Sequence, residues 1–180
     1  MSIELSDTIP GFSNKNYPWD EIIDQLPMSG TLLEVGTGCG LSAATFAEKF
    51  NETGRDYTIH TIDQCHGFNI DGISYTSEQQ LEYISQVVDA WDNISFTRCD
   101  FFKRYWETPT VLFLDASHTY RHTRNALRIM TKAEIILVDD YTPIFPGVMA
   151  AVDAFQQRTN KELAVFETGH DDNMSCAMFK

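Results

Sequence analysis

A chain of 180 residues, 43% hydrophobic, 12% aromatic and 22% charged, suffices for one packed domain, is too short for two ordinary ones, and excludes wholesale disorder or a fibrous repeat. Thirteen basic against twenty-six acidic residues give a formal net charge of −13, which repels phosphate backbones and anionic lipid, so neither nucleic acid nor a membrane is expected as a partner. Cys39, Cys65, Cys99 and Cys176 form no C-x-x-C pair, and the acidic, proline-bearing start lacks the basic end and apolar run of a signal peptide; reduced thiols and a cytoplasmic location are expected.

Residues 1–30 stand outside the pattern that follows and form an amino-terminal segment, in which "YPWDEIIDQLP" (17–27) reads as a short helix bounded by Pro18 and Pro27. Its aromatics, Phe12, Tyr17 and Trp19, are available to cover a site or to meet a second copy in a homodimer. From residue 31 to 180, short apolar runs alternate with helical patterns. The strands read are 31–35, 57–63, 94–99, 110–115, 134–139, 163–168 and 175–180. Helical periodicity covers "LSAATFAEKFNE", "TSEQQLEYISQVVDAWDN", "HTYRHTRNALRIMTKA" and "GVMAAVDAFQQRTN"; in the second, Leu81, Ile84, Val87, Val88 and Trp91 form the apolar stripe. The last two strands are joined by "GHDDNM", too short for a crossover helix, so they pair antiparallel. The fold class expected is α/β: a doubly wound, Rossmann-like seven-stranded sheet, mostly parallel with one antiparallel strand.

"LLEVGTGCGLSAATF" places Gly36, Gly38 and Gly40 between the first strand and its helix, where open α/β sheets bind ligands. The dinucleotide pattern G-x-G-x-x-G wants a glycine where this chain has Leu41, which argues against a nicotinamide reductase. Glu34 precedes the turn and Asp63 ends the second strand, where a carboxylate can accept from both hydroxyls of a ribose. Further along, Asp115 ends the fourth strand and Asp139 with Asp140 the fifth, and right-handed crossovers bring these strands side by side next to the first. Three carboxylates gathered there call for a divalent cation, Mg²⁺ or another hard ion with oxygen ligands.

On these residues the chain resembles the class I S-adenosylmethionine-dependent methyltransferases, whose first motif has the form of "LLEVGTGCG". The resemblance implies that Glu34, Gly36, Thr37, Gly38, Gly40, Asp63 and Asp115 border S-adenosylmethionine, with Asp63 on the ribose. Asp100 in "TRCDFF" matches the acid that the family places near the adenine, or else caps a helix. "LDASHTYRHTRNAL" followed by "ILVDDYTPIFPGVMAAVDAF" is similar to the branch of macrocin and mycinamicin sugar O-methyltransferases, which implies metal binding by Asp115, Asp139 and Asp140. Ala116 departs from the glycine common after the first acid, and the long amino-terminal region of larger relatives is lacking, so the sugar is not carried over.

The expected activity is metal-assisted O-methylation of a small hydroxylated acceptor, with Asp115 and His118 as catalytic residues. His118 has two readings: a general base three residues past Asp115, or a residue packing the start of the next helix. Tyr120, Tyr141 and His66 read as wall or core residues, and Arg121 and Arg124 as a solvated helix face. The alternatives are a metal-independent methyltransferase with His118 as base, and a non-catalytic module that binds the cofactor.

Overall fold

The computed structural model describes residues 9–11, 17–70, 72–167 and 175–180. Phe12 and the connection through residues 168–174 lie outside the described residues. The main sheet is built from β1 (Ser29–Val35), β2 (Asp56–Asp63), β5 (Ile94–Arg98), β6 (Val111–Leu114), β7 (Ile135–Val138), β8 (Leu163–Glu167) and β9 (Ser175–Phe179), in the order β5-β2-β1-β6-β7-β9-β8. Neighbours from β5 through β7 pair in parallel, and β9 pairs antiparallel with both β7 and β8. This is the expected seven-stranded, Rossmann-like sheet with one reversed strand.

Among the described residues, five α-helices accompany it: α1 (Trp19–Asp24), α2 (Leu41–Glu52), α3 (Ser77–Ala90), α4 (Tyr120–Ile129) and α5 (Pro146–Gln156). The central strands β6 and β7, "VLFL" and "IILV", are buried at every position, as parallel strands covered on both faces must be. Alternation along them feeds two cores. Val111, Phe113, Ile135 and Leu137 join α1 and α2, while Leu112, Leu114, Ile136 and Val138 join α4 and α5. In the first core Phe46 meets Phe113 edge-on at 5.3 Å, and Phe113, 1% exposed, contributes about 2–3 kcal/mol by burial. α1 begins after Pro18 and buries Ile22 and Ile23 in the same core, so this helix packs directly against the sheet and α2.

A second, two-stranded pairing and the buried Gln80 add to the sequence reading. Residues 68–75 form a hairpin, β3 (Phe68–Ile70) with β4 (Ile73–Tyr75), where the sequence reads as a loop. In α3 the fully buried residues are Gln80, Ile84 and Val87, and Val88 and Trp91 of the expected stripe are half-buried and pack on the first core. Gln80 extends the same stripe by one turn and serves two loops at the top of the sheet.

Candidate active site

The turn after β1 is shaped by glycines. Gly36 has φ +103°, and a β-carbon there would lie 1.7 Å from the Asp115 carbonyl oxygen, so β1 and β6 approach as closely as they do because that side chain is missing. Gly38, φ +54°, faces open space: a β-carbon added there would have nothing within 4 Å. Gly40, φ +93°, starts α2 and lies against Val87. Beneath the turn Glu34 is fully buried, accepting from the hydroxyls of Ser42 and Thr61; the Thr61 hydroxyl is 2.5 Å from that of Thr37. Glu34 and Thr37 therefore brace the turn from below, and Gly38 offers its open side.

Asp63 accepts from Gly38 N at 3.2 Å and Cys65 N at 2.6 Å, tying the glycine turn to the chain leaving β2. A carboxylate has roughly four acceptor positions, so these bonds leave capacity for hydroxyl donors of a guest. Gln80 adds a second tie, donating to Gly38 O at 2.9 Å and accepting from Gly67 N at 3.1 Å. Arg98 holds the same loop through Gln64 O and Cys65 O, both at 3.2 Å. Asp100 follows β5 on the same edge, where it caps the 3-10 turn Phe101–Lys103 by accepting from Phe102 N at 3.0 Å. Gly36, Gly38, Gly40, Asp63, Asp100 and Asp115 thus share the carboxyl edge of the sheet, where such folds bind ligands.

Asp115 follows β6, and Asp139 and Asp140 follow β7. Among the described residues, the ligand atoms that lie within 4.8 Å of one another come from Asp115, His118 and Asp140. Asp139 stands outside that group and accepts from the Tyr17 hydroxyl at 2.8 Å. Asp140 adopts φ +57°, a conformation that aspartate tolerates better than most residues, and its Oδ2 lies 2.7 Å from His118 Nε2. α5 holds His118 in turn. Phe145 lies 4.0 Å from its ring, and a β-carbon on Gly147 would sit 2.8 Å from His118 O and 2.7 Å from Tyr120 N. Tyr141 donates to Asp153 at 2.8 Å and packs half-buried against the second core, and His66 is exposed beside Gln64.

Burial, followed by repulsion from Asp139 and Asp140, raises the Asp115 carboxyl well above the usual range. Burial and Asp140 push Asp139 up to about 7, partly offset by the Tyr17 hydrogen bond. Burial also lifts Glu34 to about 7. His118 is raised mainly by its hydrogen bond to Asp140. A site that holds protons this strongly is one where a cation would relieve the same repulsion. Ligand atoms about 2.0–2.2 Å from one ion are roughly 3–4 Å apart, so Asp115, His118 and Asp140 could hold a divalent cation once the 2.7 Å His118–Asp140 contact opens to that spacing. His118 and Asp140 remain partly exposed, which leaves coordination positions for oxygens from outside the chain.

A model of a methyltransferase domain matches residues 33–141, more than half of the chain and including both the glycine turn and the acid cluster. The chain belongs to this methyltransferase domain family. No curated protein matches it. Among solved structures, this methyltransferase is similar to the O-methyltransferase NovP, with 18% identity and a TM-score of 0.60 over 90% of this chain and 75% of the other. It is similar to an O-methyltransferase from Bacillus cereus in complex with SAH, with 10% identity and a TM-score of 0.62 over 98% and 86%. The tRNA (m1A58) methyltransferase TrmI from Aquifex aeolicus gives 14% identity and a TM-score of 0.66 over 98% and 74%. At these identities the likeness concerns the fold. The methyltransferase takes S-adenosylmethionine as its cofactor. No described helix is long and apolar enough to cross a membrane.

Proposed function

We propose that this methyltransferase transfers the methyl group to a hydroxyl of a small acceptor, assisted by a divalent cation at Asp115, His118 and Asp140. The observation that carries this reading is the approach of those three ligand atoms to within 4.8 Å, directly beside the glycine turn whose Gly36 touches Asp115. The O-methyltransferases among the similar structures support the choice of oxygen as acceptor atom. A mixed set of two carboxylates and one imidazole suits Mn²⁺ as well as Mg²⁺, and suits Ca²⁺ less. A bound cation would lower the acceptor hydroxyl's pKa and fix its oxygen in place.

The chain's own groups do the rest. Gly36, Gly38 and Gly40 let the backbone approach the cofactor, and Asp63 accepts from its ribose hydroxyls. Asp100 stands on the adenine side. Asp115, His118 and Asp140 would hold the cation that keeps the acceptor oxygen in line, and the hydroxyl proton passes to solvent as the carbon–oxygen bond forms and the sulfonium carbon–sulfur bond breaks. A second reading, without metal, is favoured by the 2.7 Å His118–Asp140 contact, in which the carboxylate orients the imidazole as a base.

The test is methyl transfer to a panel of hydroxylated small molecules after chelation and after adding back Mg²⁺ or Mn²⁺. Activity lost on chelation and restored by metal is expected, with Asp115→Asn and Asp140→Asn inactive but still binding S-adenosylmethionine. Activity that survives chelation and disappears in His118→Ala would establish the second reading.

A further inference from the structure

We propose that the groove between α4 and the 3-10 turn Phe101–Lys103 is a binding site for a phosphate-bearing small molecule. The groove has a volume of about 310 Å³ and is lined by Phe102, Arg121, His122, Asn125, Arg128 and Ile129. Its charge runs against that of the whole chain. Residues 116–133 carry Arg121, Arg124, Arg128 and Lys132 and no acid, in a protein with a net charge of −13. Among the described residues, none of these three arginines has a carboxylate partner.

A solvated basic face would ordinarily place acids three or four residues away, to offset the charge. Here 26 acidic residues are available in the chain and none is used. The position on the helix sharpens the point. The first turn of α4 contains Arg121 and His122 and no acid, the reverse of what the positive end of the helix dipole favours. Where a local rule is broken without a compensating partner, a functional reason is the first to look for.

Geometry selects the ligand. Arg121, Asn125 and Arg128, at i, i+4 and i+7, line one stripe about 10 Å long. Two guanidinium forks with an amide between them suit the several terminal oxygens of a phosphate ester or diphosphate, whereas one carboxylate would engage a single fork. Phe102, 40% exposed and 5.6 Å from the His122 ring, and Ile129, 50% exposed, provide apolar walls for the organic part. Arg121 is three residues past His118 in the chain, so the groove lies along the helix that follows the acid cluster. The phosphate can therefore belong to the methyl acceptor or to a separate effector, and the proposal does not depend on the metal.

Pyrophosphate titrated into the full chain at low salt, followed by calorimetry and amide chemical shifts, tests the shared chemistry. Expected are saturable one-to-one binding, shifts confined to α4 and residues 101–104, and an affinity roughly tenfold or more weaker in the Arg121→Gln/Arg128→Gln double variant. Affinity for S-adenosylmethionine should be unchanged, which also shows that the variant is folded. Equal binding by the variant, or no saturation below about 10 mM in wild type, overturns the proposal. So does dimerisation that the double variant abolishes without any pyrophosphate binding, which assigns the face to a second copy's acidic surface. Methylation of ribose 5-phosphate that is lost in the double variant places the phosphate on the acceptor. Binding of pyrophosphate without competition against a methylated acceptor places it on an effector.

Discussion

Gly36 and Gly38 share a positive φ, yet their substitution should have opposite consequences. In Gly36→Ala the new methyl would meet the carbonyl oxygen and carbon of Asp115 at 1.7 and 2.5 Å, both backbone atoms that can yield only if β1 and β6 part. A loss of about 3 kcal/mol or more is expected in urea unfolding, and a loss under about 1 kcal/mol would show that the strands are less tightly joined than this spacing implies. Gly38→Ala meets nothing within 4 Å and carries only the backbone strain of about 1–2 kcal/mol. Its methyl would instead occupy the open side of the turn. Calorimetry with S-adenosylmethionine should show an affinity lowered by roughly tenfold or more, about 1.4 kcal/mol, with stability falling by no more than the strain.

At the scale of elements, α3 is positioned by one polar side chain. Gln80 is 2% exposed and joins Gly38 to Gly67, so its helix face carries the two loops that frame the cofactor edge. Gln80→Leu should leave a buried carbonyl and a buried N–H unpaired, at about 1–3 kcal/mol each. Hydrogen exchange at residues 36–40 and 65–67 should rise with it. Protection unchanged in both loops would show that Asp63 and Arg98 suffice. This tie also explains what can be read in advance. α2 spans residues 41–52 as its periodicity predicts, and the strand-end acids follow from β6 and β7 being apolar throughout. Periodicity reads the α3 stripe at Ile84, Val87, Val88 and Trp91 and misses Gln80, because an apolar template gives no weight to a glutamine. The hairpin at 68–75 has a signal, the "DG" pair at 71–72 between Ile70 and Ile73, which the absence of longer strands conceals. The grouping of Asp140 with His118, and of Asp139 with Tyr17 across 122 residues, has none. It arises from the left-handed backbone of Asp140 and from the fold of the amino-terminal segment.

For the molecule as a whole, charge and stability are linked through the same acids. Glu34 and Asp139 both rise to about 7 from ordinary values of 4.5 and 3.8, and Asp115 is raised well above its ordinary range with them. Between about pH 4 and 7 the folded chain therefore keeps protons that the unfolded chain has released, and stability falls as pH rises through that window. His118, raised by Asp140, contributes in the same direction: its stabilisation is complete below its ordinary value of 6.5 and is lost as pH rises through its folded value. The metal-free protein should thus be more stable at pH 5 than at pH 8, and Glu34→Gln, which keeps the shape of the buried side chain without its charge, should flatten part of that slope. A divalent cation competes with protons for Asp115 and His118, so its effect must run the other way. It stabilises the fold only as far as it binds the folded state, by RT ln(1 + [L]/Kd). Saturating Mn²⁺ should accordingly raise the melting temperature by several degrees at pH 8 and by little at pH 5, with no increment at either pH in Asp115→Asn. An increment that is equal at both pH values, or that persists in that variant, would mean that the ion sits elsewhere on a surface with a net charge of −13.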